Sequence, residues 1–230
     1  MLNISELYPL FEALDLYGLR KQSQVYQNQL INIWNEIVKE KRQAISCGSS
    51  DILDAMIDSG FLDLQINILL RELIGAGSDT TTTTTEWAMI DLLRNKGAMH
   101  KLQAELTSKF GENDIITESN ISELPYLVAC VKEALRLHSP TPFLIPRRAL
   151  ETYFNVDFRG QDFRIIPFGA WRRICPGLGF ARQEIHLILA SLIHYFEWSL
   201  PNGEDPMQLD IEDKFGVTLQ KEKPLLIVPM

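Results

Sequence analysis

Phe168-Gly169-Ala170-Trp171-Arg172-Arg173-Ile174-Cys175-Pro176-Gly177 is the stretch that decides how this chain is read. A lone cysteine is most often a small buried hydrophobe. The setting of Cys175 argues for more. Two arginines precede it, and apolar spacing predicts a helix from Leu178, with Pro176 well placed at its start. Nearby cations and a helix N-terminus both favour the thiolate, the form that ligates a metal. Upstream, Pro167-Phe168-Gly169 supplies an aromatic ring and a tight turn.

Working outward, apolar residues at helical spacing predict helices over 25–42, 61–94, 98–110, 122–138 and 178–198. Ser122 and Glu123 offer a cap for the fourth, and Ser139-Pro140 ends it. Between Pro140 and Gly177, five prolines (140, 142, 146, 167 and 176) indicate loop with short strands. The tail from Pro224 to Pro229 reads as strand. The fold class expected is mainly α with a small β component, in a single domain over residues 1–230.

The second-longest clue lies in the 61–94 helix. Six consecutive threonines, Thr80 to Thr85, are poor helix formers. Their flanks are apolar (Leu69, Leu70, Leu73, Ile74, then Trp87, Ala88, Ile90), so the tract is expected inside a buried helix. Hydroxyls there bond back to carbonyls. A third clue, Glu133 and Arg136, shares a helix face at i, i+3, a spacing that alone most often marks a surface ion pair.

Composition narrows the function. Net charge is -8, with 22 Lys plus Arg against 30 Asp plus Glu. Such acidity gives no attraction for phosphate backbones, so nucleic acid is not an expected partner. Cys47, Cys130 and Cys175 are odd in number and far apart, which predicts no disulfide framework and fits a reducing compartment. Met1–Glu6 lacks the features of a signal peptide, and no run of 18 apolar residues suggests a membrane span. His100, His138, His186 and His194 lack metal spacing and read as surface or core polar residues. The acidic stretch from Glu204 to Asp213 reads as a solvated loop.

Taken together, these motifs resemble the cytochrome P450 family. Phe168 to Gly177 is similar to its signature F-x-x-G-x-R-x-C-x-G, Ala76-Gly77-Ser78-Asp79-Thr80 to [AG]-G-x-[DE]-T, and Glu133-Ala134-Leu135-Arg136 to E-x-x-R. In wording the chain resembles plant enzymes of the geraniol 8-hydroxylase-like group. The resemblance implies a heme (iron) cofactor with Cys175 as its axial thiolate, which donates electron density for O–O cleavage. It implies that Arg173 pairs with a heme propionate, that Phe168 packs beside the sulfur, and that Gly177 belongs to the same loop. Gly77 would open the groove for O2, and Asp79 and Thr80 would relay protons. Glu133 and Arg136 become a structural pair. Substrate contacts are implied at Thr141, Phe143 and Ile145, and at Phe215 and Val217. The implied activity inserts one oxygen atom of O2 into a hydrophobic small molecule such as a terpenoid. NADPH-cytochrome P450 reductase is the implied partner, and the cytosolic face of the endoplasmic reticulum membrane the implied location.

The chain also departs from the family. The first half of a P450, with its membrane anchor, has no expected counterpart here. Trp171 stands where the signature has glycine. Only residues 134–174 separate Glu133 from Cys175, and near Thr152–Asp157 a block of strands, a helix and a P-E-R-F-like motif is expected to be missing. A Glu133–Arg136 pair buried without the third member of that motif would be destabilising. Two functions from different classes follow: a heme-thiolate monooxygenase, or a non-catalytic remnant with weak or no heme binding. A cysteine-nucleophile hydrolase lacks a plausible histidine and oxyanion elements near Cys175.

Overall fold

The computed structural model describes residues 18–43, 51–142, 167–169, 174–214, 216 and 218–230. Within them the chain is mainly helical: α1 (Leu19–Gln43), α2 (Ile52–Asp58), α3 (Asp63–Arg94), α4 (Lys96–Lys109), α5 (Pro125–Leu137) and α6 (Leu178–Tyr195). Four two-residue strands, β1 (Trp198–Ser199), β2 (Asp213–Lys214), β3 (Gln220–Lys221) and β4 (Val228–Pro229), form two antiparallel pairs. In the first, Trp198 faces Pro229 and Ser199 faces Val228. In the second, Asp213 faces Lys221 and Lys214 faces Gln220. The tail expected as strand from Pro224 is paired only at Val228–Pro229.

Two compact units divide at Gly75 and Ala76. In the first, Val38 of α1, Leu53 of α2, and Ile66 and Leu70 of α3 form a small core with Trp34, Met56 and Ile57 against it. The short α2 exists because Asp51 caps it: its carboxylate accepts from the Leu53 and Asp54 N–H groups at 2.9 and 3.0 Å, and Asp54 returns the favour to the Asp51 N–H at 3.1 Å. Tyr26, Leu30, Ile33 and Ile37 of α1 are exposed, as are Leu64 and Ile68 of α3.

The second unit holds the larger core. Ala88, Leu92 and Leu93 of α3 meet Leu102 and Leu106 of α4, Leu127 and Val131 of α5, and Ile185, Leu189 and Ile193 of α6. Residues three or four apart on each helix supply one apolar stripe, which burial against the neighbouring stripes stabilises.

α5 starts later than the sequence suggests. Ser122 and Glu123 lie in a 3-10 turn, Glu118–Glu123, and the helix opens at Pro125. Its first amides, on Tyr126 and Leu127, donate to the two carboxylate oxygens of Glu105 at 2.8 and 2.9 Å. The cap therefore comes from α4 and not from the local sequence. α6 ends at Tyr195, because Trp198 joins the first strand pair and donates its indole N–H to the Leu192 carbonyl at 2.7 Å.

Candidate functional site

Cys175 sits in a loop tied on both sides. Its own N–H donates to the Phe168 carbonyl at 2.9 Å, and the Leu178 N–H donates to the Cys175 carbonyl at 3.2 Å. Gly169, at φ 71°, turns the chain between Phe168 and the thiol, a conformation that glycine adopts without strain. The thiol is free and half-buried. A Cβ on Gly177 would lie 3.7 Å from its sulfur, so any longer side chain there would begin to cover it. Phe168 packs against the core of the second unit. A single soft donor, held by its backbone at the start of α6 with glycine beside it, fits the axial ligand of a heme iron. Arg173 and Trp171 lie outside the described residues.

The threonine tract runs through α3 without a break. Thr80 donates its hydroxyl to the Ala76 carbonyl at 2.7 Å, and Thr84 donates to the Thr80 carbonyl at 2.9 Å. These are the back-bonds expected of hydroxyls within a helix. Thr81, Thr83, Thr84 and Thr85 are buried. The flanks differ from each other, contrary to the sequence reading. Trp87, Ala88 and Ile90 are buried, whereas Leu73 and Ile74 are 42% and 47% exposed. Apolar character predicts a tendency to be buried, and no described residue covers this pair. A Cβ on Gly75 or Gly77 would meet nothing within 4 Å, so the helix surface there is open. Asp79 is exposed and Thr80 half-buried.

Glu133 and Arg136 make a bidentate pair at 2.6 and 2.7 Å. Their side chains are 55% and 46% exposed, which corrects the expectation of a buried pair. Water screens both groups, so no buried charge is left uncompensated. The Arg136 hydrogen bond holds the Glu133 carboxyl below its usual range, and Glu133 raises Arg136 in turn.

Of the substrate-contact candidates, Thr141 is half-buried, while Phe143, Ile145, Phe215 and Val217 lie outside the described residues. Among the described residues beside them, the Leu219 N–H donates to the Pro140 carbonyl at 2.7 Å. Sequence reasoning missed Glu184, which accepts the Thr81 hydroxyl at 3.1 Å and so joins α3 to the helix that follows Cys175. It missed Glu86 as well, which accepts the Leu225 N–H at 2.6 Å. Neither had a local signal, since α3 also carries Glu72, Asp79 and Asp91, and α6 carries Arg182.

Comparison with known proteins gives a consistent answer. The family model described as Cytochrome P450 matches residues 1–164 and 153–228. The chain is 41% identical over 271 residues to (S)-N-methylcoclaurine 3'-hydroxylase isozyme 2 of Eschscholzia californica, covering 99% of this chain and 55% of the relative. It is 36% identical over 275 residues to geraniol 8-hydroxylase of Catharanthus roseus, covering 99% and 56%. A zebra fish cytochrome P450 solved with progesterone superposes with a TM-score of 0.71 at 25% identity, covering 88% of this chain and 57% of that one. The chain thus spans about half the length of the curated relatives it matches. A 271-residue alignment to a chain of 230 also means that the relative carries residues with no counterpart here. The two family matches overlap at 153–164, around the expected seam.

Proposed function

Because this chain belongs to the cytochrome P450 family, we propose that its site is that of a heme-thiolate monooxygenase acting on a hydrophobic small molecule. Cys175 would hold the heme iron through its sulfur, Arg173 would pair with a heme propionate, and Phe168 and Gly177 would shape the loop around the sulfur. When bound, the heme supplies O2 activation, with one oxygen atom entering the substrate and the other leaving as water. Electrons come from NADPH-cytochrome P450 reductase. On this chain's side, Asp79 and Thr80 hold and pass protons at the open stretch of α3 around Gly77. The Thr80 hydroxyl donates to the Ala76 carbonyl, so its oxygen is left to accept a hydrogen bond from solvent. Thr141, Phe143, Ile145, Phe215 and Val217 face the substrate. The relatives' names, an N-methylcoclaurine hydroxylase and a geraniol hydroxylase, support an alkaloid or terpenoid. The endoplasmic reticulum membrane is the proposed location; among the described residues no helix is long and apolar enough to cross a membrane.

The observation that carries this reading is the Cys175 loop, a free thiol pinned by its own amide at the start of a helix. The test is to supply heme, reduce, add carbon monoxide, and compare the parent with Cys175→Ala. A thiolate-type Soret band lost in the variant supports the assignment; a band unchanged in the variant sinks it. A second reading, a remnant that binds heme weakly and does not turn over substrate, is favoured by the residues of the relatives that have no counterpart here.

A further inference from the structure

Trp87 on α3 and His138, just past the end of α5, stack face to face with ring centroids 4.0 Å apart and planes 4° from parallel. His138 Nε2 lies 3.3 Å from Asp91 Oδ1. A carboxylate can only accept, so Nε2 carries the hydrogen and donates it. Trp87 and Asp91 stand four residues apart, on one face of α3. Trp87 is 1% exposed and its indole N–H has no hydrogen-bond partner among the described residues, where packing and the stack hold the ring.

His138 also closes α5, its N–H donating to the Ala134 carbonyl at 2.8 Å. Two residues on, the Pro140 carbonyl accepts from Leu219 at 2.7 Å. Only Ser139 lies between these two fixed points, and Thr141 follows directly.

We propose that His138 is a positioning residue: by stacking on Trp87 it holds the segment Ser139–Thr141 at a set place against α3 and in register with Leu219. Its consequence for substrate rests on the assignment of Thr141 to the substrate face. The clamp itself needs neither heme nor substrate, so a failed carbon monoxide test would leave it standing, and the reverse also holds.

The test is amide hydrogen exchange on the full chain without heme, comparing the parent with His138→Ala and His138→Phe. Phenylalanine keeps a flat ring over Trp87 and removes the hydrogen bond. In His138→Ala the Leu219 amide is expected to exchange about tenfold faster, while Val131 in α5 and Leu189 in α6 stay within about twofold of the parent. His138→Phe is expected to return Leu219 to within about threefold of the parent. Unchanged Leu219 exchange in His138→Ala overturns the proposal. So does an equal loss of protection at all three amides, which would make the role one of general stability. A phenylalanine variant no better than alanine overturns it too.

Discussion

Thr81 donates its hydroxyl to Glu184 at 3.1 Å, bridging α3 and the helix that begins just past Cys175. Thr81 is 4% exposed, so little water can replace the lost partner. A hydrogen bond to a charged group contributes about 1.5–3 kcal/mol. Thr81→Val keeps the shape and removes the donor. It is expected to lower stability by about that amount, read as a lower urea midpoint with an unchanged slope. A midpoint equal to the parent's would show that solvent already satisfies Glu184.

Glu105 caps α5 from outside, taking the Tyr126 and Leu127 amides on its two oxygens. Glu105→Ala leaves both donors without that acceptor and is expected to cost about 1–3 kcal/mol. Glu105→Gln keeps one carbonyl acceptor and should recover part of the loss. If alanine and glutamine variants melt together at the parent's midpoint, the cap contributes nothing measurable.

Sequence reasoning recovered what depends on local spacing and missed what depends on neighbours. The unbroken helix through Thr80–Thr85 and the i, i+3 pair of Glu133 and Arg136 are matters of short-range order, and both were legible. The cap of α5 was not, because its acceptor lies on another helix, twenty-one residues before Tyr126. Nor was the exposure of Leu73 and Ile74. A side chain's apolar or charged character says which surroundings suit it, not whether this chain supplies them. His138 was legible only as a polar residue of surface or core, since its partners, Trp87 and Asp91, are brought to it by packing.

Cys130 is half-buried against the core, and its thiol is pushed up to about 11, first by burial and then by the Glu105 charge. The thiolate is the reactive form, so at pH 8 only about one part in a thousand of Cys130 is reactive. Alkylation under native conditions should therefore modify Cys130 at least about a hundredfold more slowly than in urea. Mass spectrometry of the peptide that contains Cys130 checks this, and equal rates in the two conditions would contradict the burial.

His186 on α6 is 4% exposed, its Nε2 has no hydrogen-bond partner among the described residues, and burial holds its pKa below the ordinary histidine value. The unfolded chain therefore binds this proton more readily than the folded one. Stability is full above about pH 6.5 and falls as the pH drops below it, by at most about 1.4 kcal/mol per pH unit for one group. Urea midpoints measured from pH 8 to pH 5 should decline in the parent and decline less steeply in His186→Leu. Identical slopes would assign the acid limb to other groups.

The last prediction concerns competence: given heme, the 230-residue chain is expected to ligate it weakly through Cys175 and not to turn over substrate. The Cys175 amide is held by the Phe168 carbonyl, so the backbone at the ligand is not the weak point. What lacks support is the surroundings. On α6, Phe180, five residues after Cys175, is 68% exposed. A heme held on such a surface stays open to water, which weakens every electrostatic contact that holds it. Trp171, where the family signature has glycine, is the smaller defect by this reasoning, since one side chain can shift whereas absent neighbours cannot be replaced. Trp171→Gly alone should therefore leave the carbon monoxide spectrum as weak as the parent's. Insertion at 152–157 of the block expected to be missing there should strengthen it. A strong thiolate-type band and turnover with the reductase in the unmodified chain would overturn the prediction. Restoration by Trp171→Gly alone would show that the single substitution, and not the missing scaffold, is the dominant defect.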